Sequence, residues 1–286
     1  MRSHKRVKKA RKLIWRFFGL CFLLIVSALL YAKFIEPNWI EINSMELTLP
    51  HLAAEFNGYR IVQISDIHTD KSTTQKRLTH IFSLVNQQKP DLVAMTGDFI
   101  TGGSEKFLPK FEATLNQIQA KDKIVAVLGN HDYWADPLPI SQALTKNGIL
   151  NLGNEVYTLQ RGNSKLHIAG VDDIYMGKQR LDLVLSKLTD DSAAILLAHE
   201  PDYADTSAAT KRFDLELSGH SHAGQIRLPF FKPPILPTLG QKYYNGLYRV
   251  GEMMQYTNRG IGTTGLHLRF ASRPEITVFT LKSVRN

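Results

Sequence analysis

The sequence predicts an α/β sandwich preceded by one long apolar helix. Three observations carry that expectation. From Tyr59 onward, short runs of β-branched and other apolar residues alternate with stretches of helical spacing, the pattern that builds layered α/β domains. Five of the strand-like runs stop at small clusters of Gly, Asp, Asn and His. The first 35 residues instead hold an apolar run behind a basic start.

Arg2, Lys5, Arg6, Lys8, Lys9, Arg11, Lys12 and Arg16 open the chain with no acid among them. Phe17 to Ala32 carries no charge, and Leu13–Trp15 and Phe34–Ile35 extend it. That suits a helix crossing the hydrocarbon core, which takes roughly 20 residues. Trp15, Tyr31 and Trp39 suit the two interfaces. A cleaved signal peptide opens in the same way; the length of the run and the lack of a small-x-small site favour an uncleaved anchor. Residues 1–12 then form a basic cytoplasmic segment, 13–35 a transmembrane anchor, 36–58 a linker with an edge strand, and 59–286 the folded domain. Basic residues stay in the cytoplasm. The chain therefore reads as a single-pass protein of the inner or plasma membrane, its domain on the periplasmic or extracellular side.

Of the formal charge of +9, eight units belong to that basic start, so the remainder is nearly neutral. A nucleic-acid binder keeps a basic face on its folded part; none is expected here, and nucleic acid is not an expected partner. The single cysteine, Cys21, lies in the apolar run. It excludes an internal disulfide and makes a poor nucleophile.

Residues 40–49 alternate apolar and polar, as an edge strand does. Tyr59–Ser65 reads as a strand. Ser72–Gln88 has helical spacing at Leu78, Ile81, Phe82 and Val85, and Pro90 ends it. Strands follow at Leu92–Thr96 and Lys123–Leu128, with a helix between them over Phe107–Ile118. Ile140–Lys146 reads as a helix closed by Asn147-Gly148. Further strands are expected near Val156–Leu159, Leu166–Ala169, Ala194–Ala198, Leu215–Ser218, Met253–Thr257 and Ile276–Leu281, and a helix over Leu181–Leu188.

The five clusters are Asp66-Ile67-His68, Gly97-Asp98, Gly129-Asn130-His131-Asp132, His199-Glu200 and Gly219-His220-Ser221-His222. Ligands of open α/β sheets collect beyond the carboxyl ends of the strands, so these clusters are expected to converge. Carboxylate, imidazole and amide oxygen without thiolate suit divalent Mn, Fe or Zn. In Asp66-x-His68 and His220-x-His222, residues i and i+2 of an extended segment point the same way. No Gly-x-Ser-x-Gly elbow or Walker loop is present for acyl-enzyme or P-loop chemistry to rest on.

In this order the clusters resemble the calcineurin-like metallophosphoesterase superfamily, over roughly Tyr59 to Leu281. Gly219-His220-Ser221-His222-Ala223-Gly224-Gln225 and Asn258-Arg259-Gly260-Ile261-Gly262 are similar to its bacterial membrane-associated branch, which includes phosphodiesterases and UDP-diacylglucosamine hydrolases. The resemblance implies a four-layer form, a β-sandwich flanked by helices, with two divalent metal ions. It implies Asp66, His68 and His222 on one ion, Asp98 bridging, and Asn130, His199 and His220 on the other. His131 stays off the metals, beside the phosphate, with Asp132 orienting it. The implied substrate is a phosphodiester or pyrophosphate, lipid-linked or from the cell envelope. UDP-diacylglucosamine itself is made on the cytoplasmic side, opposite to the side the charges assign to the domain. A phosphomonoesterase on the same scaffold is the alternative, and an inactive membrane scaffold a further one.

Outside the clusters, His4, His51, His80, His167 and His267 read as structural. Asp172-Asp173 reads equally as a cap on the site or a solvated turn. Glu200 reads as an orienting group, and Arg259 as a phosphate contact or a surface residue. The proline-rich stretch from Pro229 to Pro237 is expected to pack on the core, with contact to a lipid chain through Phe230 and Phe231 as the other reading.

Overall fold

Residues 2–228 and 231–284 are described by a computed structural model; Pro229 and Phe230 lie outside the described residues. The first element is helix α1 (Arg2–Leu30), which widens over Tyr31–Ile35 and tightens over Glu36–Asn38. From Lys8 to Asn38 it is long and apolar enough to cross a membrane, and its most apolar stretch is not buried against the rest of the chain.

Among the described residues, twelve strands follow: β1 (Glu41–Leu49), β2 (Arg60–Ile64), β3 (Leu92–Thr96), β4 (Lys123–Val127), β5 (Leu150–Asn151), β6 (Glu155–Arg161), β7 (Ser164–Gly170), β8 (Ala194–Leu197), β9 (Leu215–Ser218), β10 (Gly246–Val250), β11 (Met253–Thr257) and β12 (Glu275–Ser283). They form two six-stranded sheets, ordered β1-β12-β2-β3-β4-β5 and β10-β11-β9-β8-β7-β6. Strands β2, β3 and β4 run parallel in the first, and β7, β8, β9 and β11 in the second.

The interleaved helices are α2 (Gln75–Gln87), α3 (Leu108–Leu115), α4 (Asn130–Ala135), α5 (Pro137–Lys146), α6 (Leu181–Lys187) and α7 (Ala204–Ala209). Helix α2 begins where Thr74 accepts the Arg77 amide at 3.1 Å, an N-cap. It buries Leu78, Ile81, Phe82 and Val85 on one stripe.

Because side chains alternate along a strand, each sheet has two apolar faces. Ile61, Leu92, Ala94 and Val125 face Ile168, Ile195, Leu197 and Leu217 between the sheets. Val62, Ile64, Val93 and Met95 turn outward to α2 and α3; Ala169, Ala194 and Leu196 turn outward to α6 and α7. The layers therefore run helix, sheet, sheet, helix, the four-layer form. Strands buried on both faces read as continuous apolar runs, which is why they stand out in the sequence.

Some elements did not. Strand β10, the two-residue β5 and the short α7 carry little periodicity. The helix expected over Phe107–Ile118 is shorter, with a separate tight turn at Glu105–Phe107. Helix α4 starts inside the Gly129-Asn130-His131-Asp132 cluster, with Gly129 as N-cap. The Asp132 carboxylate, three residues on, accepts the Gly129 amide at 3.1 Å, half of a capping box.

Candidate metal centre

Asp66, Asp98 and Asn130 follow β2, β3 and β4; His199 and His220 follow β8 and β9. Both parallel sets end at the same edge. The Gln63 side chain spans the two sheets just before that edge, donating to Thr96 Oγ1 at 3.0 Å and Ser218 O at 2.9 Å. The backbone then curls sharply. Asp66, His68, Asp98, His220 and His222 all have φ between 49° and 67°. This left-handed region is uncommon for side-chain-bearing residues, though less so for Asp and His, and costs about 1–3 kcal/mol each. Main-chain bonds from Asp66 N to Gly97 O and from His68 N to Asp98 O, both 2.9 Å, hold it. Gly219 permits the closest approach: a Cβ there would lie 1.9 Å from Ser65 Oγ and 2.3 Å from Asp66 Oδ2.

The seven side chains singled out from the sequence meet there, and all are buried. His222 Nε2 lies 3.0 Å from His68 Nε2 and 3.3 Å from Asp66 Oδ1. Asp98 Oδ2 lies 3.4 Å from His68 Nε2 and 3.3 Å from His199 Nε2, and so touches both halves of the site. His220 Nδ1 is 3.3 Å from His199 Nε2. Asp66, His68 and His222 form one group able to hold an ion, and Asp98, His199 and His220 another.

Two tautomers follow from the main chain. His199 Nδ1 lies 2.7 Å from Thr96 O, and His220 Nε2 lies 2.8 Å from Thr238 O. A carbonyl only accepts, so the proton of each neutral ring sits on that nitrogen. The lone pair is left on the nitrogen facing into the site, the arrangement usual for metal-bound imidazoles. Asn130 supplies an independent test. Its Oδ1 is buried with no hydrogen-bond partner, a costly state for an amide oxygen unless a cation meets it. The donors fit a dinuclear site for divalent ions.

Without such ions, the charges lean on each other. Burial alone drives the Asp98 carboxyl up, but His199 and His68 hold it well below the ordinary carboxylate range. Burial likewise pulls His199 down, but Asp98 and Asp66 raise it well above an ordinary imidazole. His220 is pulled down to about 4 by burial and by the His199 charge.

His131 lies in α4 at the wall of a cavity of about 500 Å³ that opens onto the site. Its ring lies tilted against Trp134 at 4.5 Å between centroids, and Trp134 meets Tyr175 edge to face at 5.6 Å. Its Nδ1 accepts the Gly102 amide at 3.1 Å, so the ring proton sits on Nε2. Burial lowers its basicity. Asp132 does not orient it. That carboxylate is taken up by four backbone amides, those of Asp98, Phe99, Ile100 and Gly129, at 2.8–3.1 Å. It shapes the loop that carries Asp98.

Arg259 is not a phosphate contact, since it pairs with Glu275 at 2.6 Å and Glu41 at 3.0 Å. Glu200 accepts the Ile174 and Tyr175 amides at 3.2 Å each, fixing the loop that presents Tyr175. Asp172 accepts the Tyr133 hydroxyl at 2.8 Å. His51 and His167 pair with Asp214 and Asp190 away from the site, and His267 pairs with Asp70, two residues past His68. Ile235 and Phe231 are 75% and 72% exposed, so these residues of the proline-rich stretch do not pack on the core; Pro234, Ile235 and Pro237 line the cavity instead. Sequence reading missed Trp134 and Tyr175. It also missed Arg269, which is fully buried beside His222 with Nη2 3.2 Å from the ring.

A two-sheet α/β fold with a dinuclear site at its carboxyl-end rim defines a class of metal-dependent hydrolase. Residues 59–224 match the family model for calcineurin-like phosphoesterases. The chain is 38% identical over 264 residues to the metallophosphoesterase YkuE of Bacillus subtilis, covering 88% of this chain and 89% of that one. It is 34% identical over 275 residues to a zebrafish (Danio rerio) transmembrane protein with a metallophosphoesterase domain, covering 91% of this chain and 62% of that one. It is 27% identical over 258 residues to the Escherichia coli phosphodiesterase YaeI, covering 88% of this chain and 92% of that one. The chain belongs to the calcineurin-like phosphoesterases and is a metal-dependent phosphoester hydrolase.

Proposed function

We propose that the chain hydrolyses a phosphodiester or pyrophosphate bond in a lipid-linked or envelope substrate, anchored by residues 13–35. Asp66, His68 and His222 hold one divalent ion, Asn130, His199 and His220 a second, and Asp98 both. When bound, such a pair lowers the pKa of coordinated water and neutralises phosphoryl oxygens; Mn²⁺, Fe or Zn²⁺ fits the donors. The unsatisfied Asn130 Oδ1 is the observation that carries this reading.

His131 stays off the ions. With Nδ1 occupied by the Gly102 amide, it offers Nε2–H to the substrate and stabilises charge on the leaving oxygen by hydrogen bonding. Trp134 and Tyr175 wall the same side.

The lipid-linked substrate is supported by the rim of the cavity. Ile235 and Leu266, which line the cavity, are over 70% exposed, as is Phe231 in the same proline-rich stretch, and the segment bearing Leu266 joins the anchor where Arg269 N meets Ala32 O at 2.9 Å. The basic start supports a cytoplasmic position for residues 1–12, with residues 59–286 as the domain on the periplasmic or extracellular side. Turnover of bis-p-nitrophenyl phosphate against the mono-ester tests the diester reading; faster mono-ester turnover favours the phosphomonoesterase. For the lipid reading, Phe231→Glu with Leu266→Glu should slow a lipid-linked diester at least tenfold more than the chromogenic one. Equal losses would refute it. A reporter fusion fixes the side of the membrane.

A further inference from the structure

The end of the membrane helix is built into the back of the site. Glu36 is only 1% exposed. Its carboxylate accepts the Ala271 amide at 3.0 Å and the Ser272 amide at 2.5 Å. Around it, Tyr31 meets Phe270 edge to face, and the Arg273 guanidinium sits 4.2 Å over the Trp39 ring. A carboxylate with two amide partners is a stronger and more directional hold than apolar packing. Burying it is costly unless those partners are kept.

The turn that Glu36 grips leads straight to the metal centre. Ser272 Oγ donates to the His222 carbonyl at 2.9 Å, and Ser272 O accepts Arg269 Nη1 at 2.9 Å. Arg269 also donates to the carbonyls of Arg259, Gly260 and Gly262. Gly262 N in turn donates to Asp66 O at 2.7 Å. One continuous set of hydrogen bonds thus runs from Glu36 to the backbone of both Asp66 and His222.

We propose that Glu36 is a positioning residue for the metal centre, pinning the Ala271–Ser272 turn so that His222 and Asp66 are held in ligating pose. The membrane helix is then a structural part of the site as well as its anchor. The inference rests on the reading that Asp66, His68 and His222 hold an ion.

Mn²⁺ titration by electron paramagnetic resonance on the full chain in nanodiscs tests it. Wild type should take up two ions. In Glu36→Gln, one ion should bind as in wild type and the other about tenfold more weakly, the usual scale for residues that orient ligands. Turnover of bis-p-nitrophenyl phosphate should recover as Mn²⁺ is raised, which a general loss of structure would not allow. Ser272→Ala keeps Glu36 and removes only the hydroxyl on His222; it should weaken the same ion, and it serves if the Glu36 variant does not fold. Wild-type affinity for both ions in both variants overturns the proposal and leaves the metal reading intact. Failure of wild type to bind Mn²⁺ overturns the metal reading itself.

Discussion

The two halves of the metal centre are secured by different parts of the chain. On one side, His199 and His220 are each fixed by a carbonyl, Thr96 O at the end of a core strand and Thr238 O on the cavity wall. On the other, Asp66 and His222 are backed by the irregular segment from Asn258 to Arg273, which is bonded to the end of the N-terminal helix. In the first half, His199 inherits its rigidity from the sandwich through Thr96. The second depends on contacts outside the sheets, where protection against local opening is lower. Equal-looking ligand sets can therefore differ in how easily they loosen.

Asp98 is the one carboxylate both halves share, so its loss should erase the difference. Asp98→Ala is expected to abolish uptake of the second ion and to lower kcat by about 10³-fold, several kcal/mol of barrier. Unchanged turnover would end the dinuclear reading. His131 stands outside both halves. His131→Ala should cost about 10²-fold in kcat, the scale of one lost charge-stabilising donor, with metal stoichiometry intact. His131→Asn, which keeps an N–H donor, should recover part of that loss. If Asn is no better than Ala, hydrogen-bond donation is not what the imidazole contributes.

A smaller effect separates the halves by their protons. Asp98 raises the His199 imidazole well above its ordinary value, against the pull of burial, when no ion is present, which favours a bound proton there, and metal binding displaces ligand protons. Uptake of Mn²⁺ near pH 7 should release about one proton, measured by calorimetry in buffers of different ionisation heat. His199→Asn should abolish that release and His222→Asn should leave it. The reverse result would assign the proton to the other half.

The smallest effect lies away from the metals, at Glu216 in β9. Burial pushes its carboxyl up to about 8 from 4.5, with only the Ser207 and Ser218 hydroxyls to oppose it. Between those values the folded chain holds a proton that the unfolded chain has lost. The stabilising contribution is therefore complete at low pH and declines as pH rises toward 8. Urea unfolding at pH 5 and pH 8 should show that decline in wild type and a flatter profile in Glu216→Gln. Equal slopes would mean that Glu216 is ionised in the fold.

The strands and their terminal clusters were legible in the sequence because strands buried on both faces leave apolar runs that stop abruptly at Asp66, Asp98, Asn130, His199 and His220. What supports them was not. Arg269, Ser272 and Glu36 occupy turns without periodicity, and each acts through main-chain atoms that no residue pattern records. Asp132 was misread for a related reason. A carboxylate next to a histidine suggests an imidazole partner, but three residues into a helix it reaches back to amides. Strand β10 escaped notice because only Val250 of its five residues is buried, so its apolar signal is diluted.

Strand β1 follows the N-terminal helix almost at once, yet among the described residues its sheet partner is β12, the last of the twelve strands. As the chain is synthesised, Glu41–Leu49 must wait as an open edge until everything between has been translated. Such distant pairing is slow to form, and a bare edge invites association with other chains. The polar residues that alternate along β1, among them Glu41, Asn43, Glu46 and Thr48, keep that waiting edge wetted.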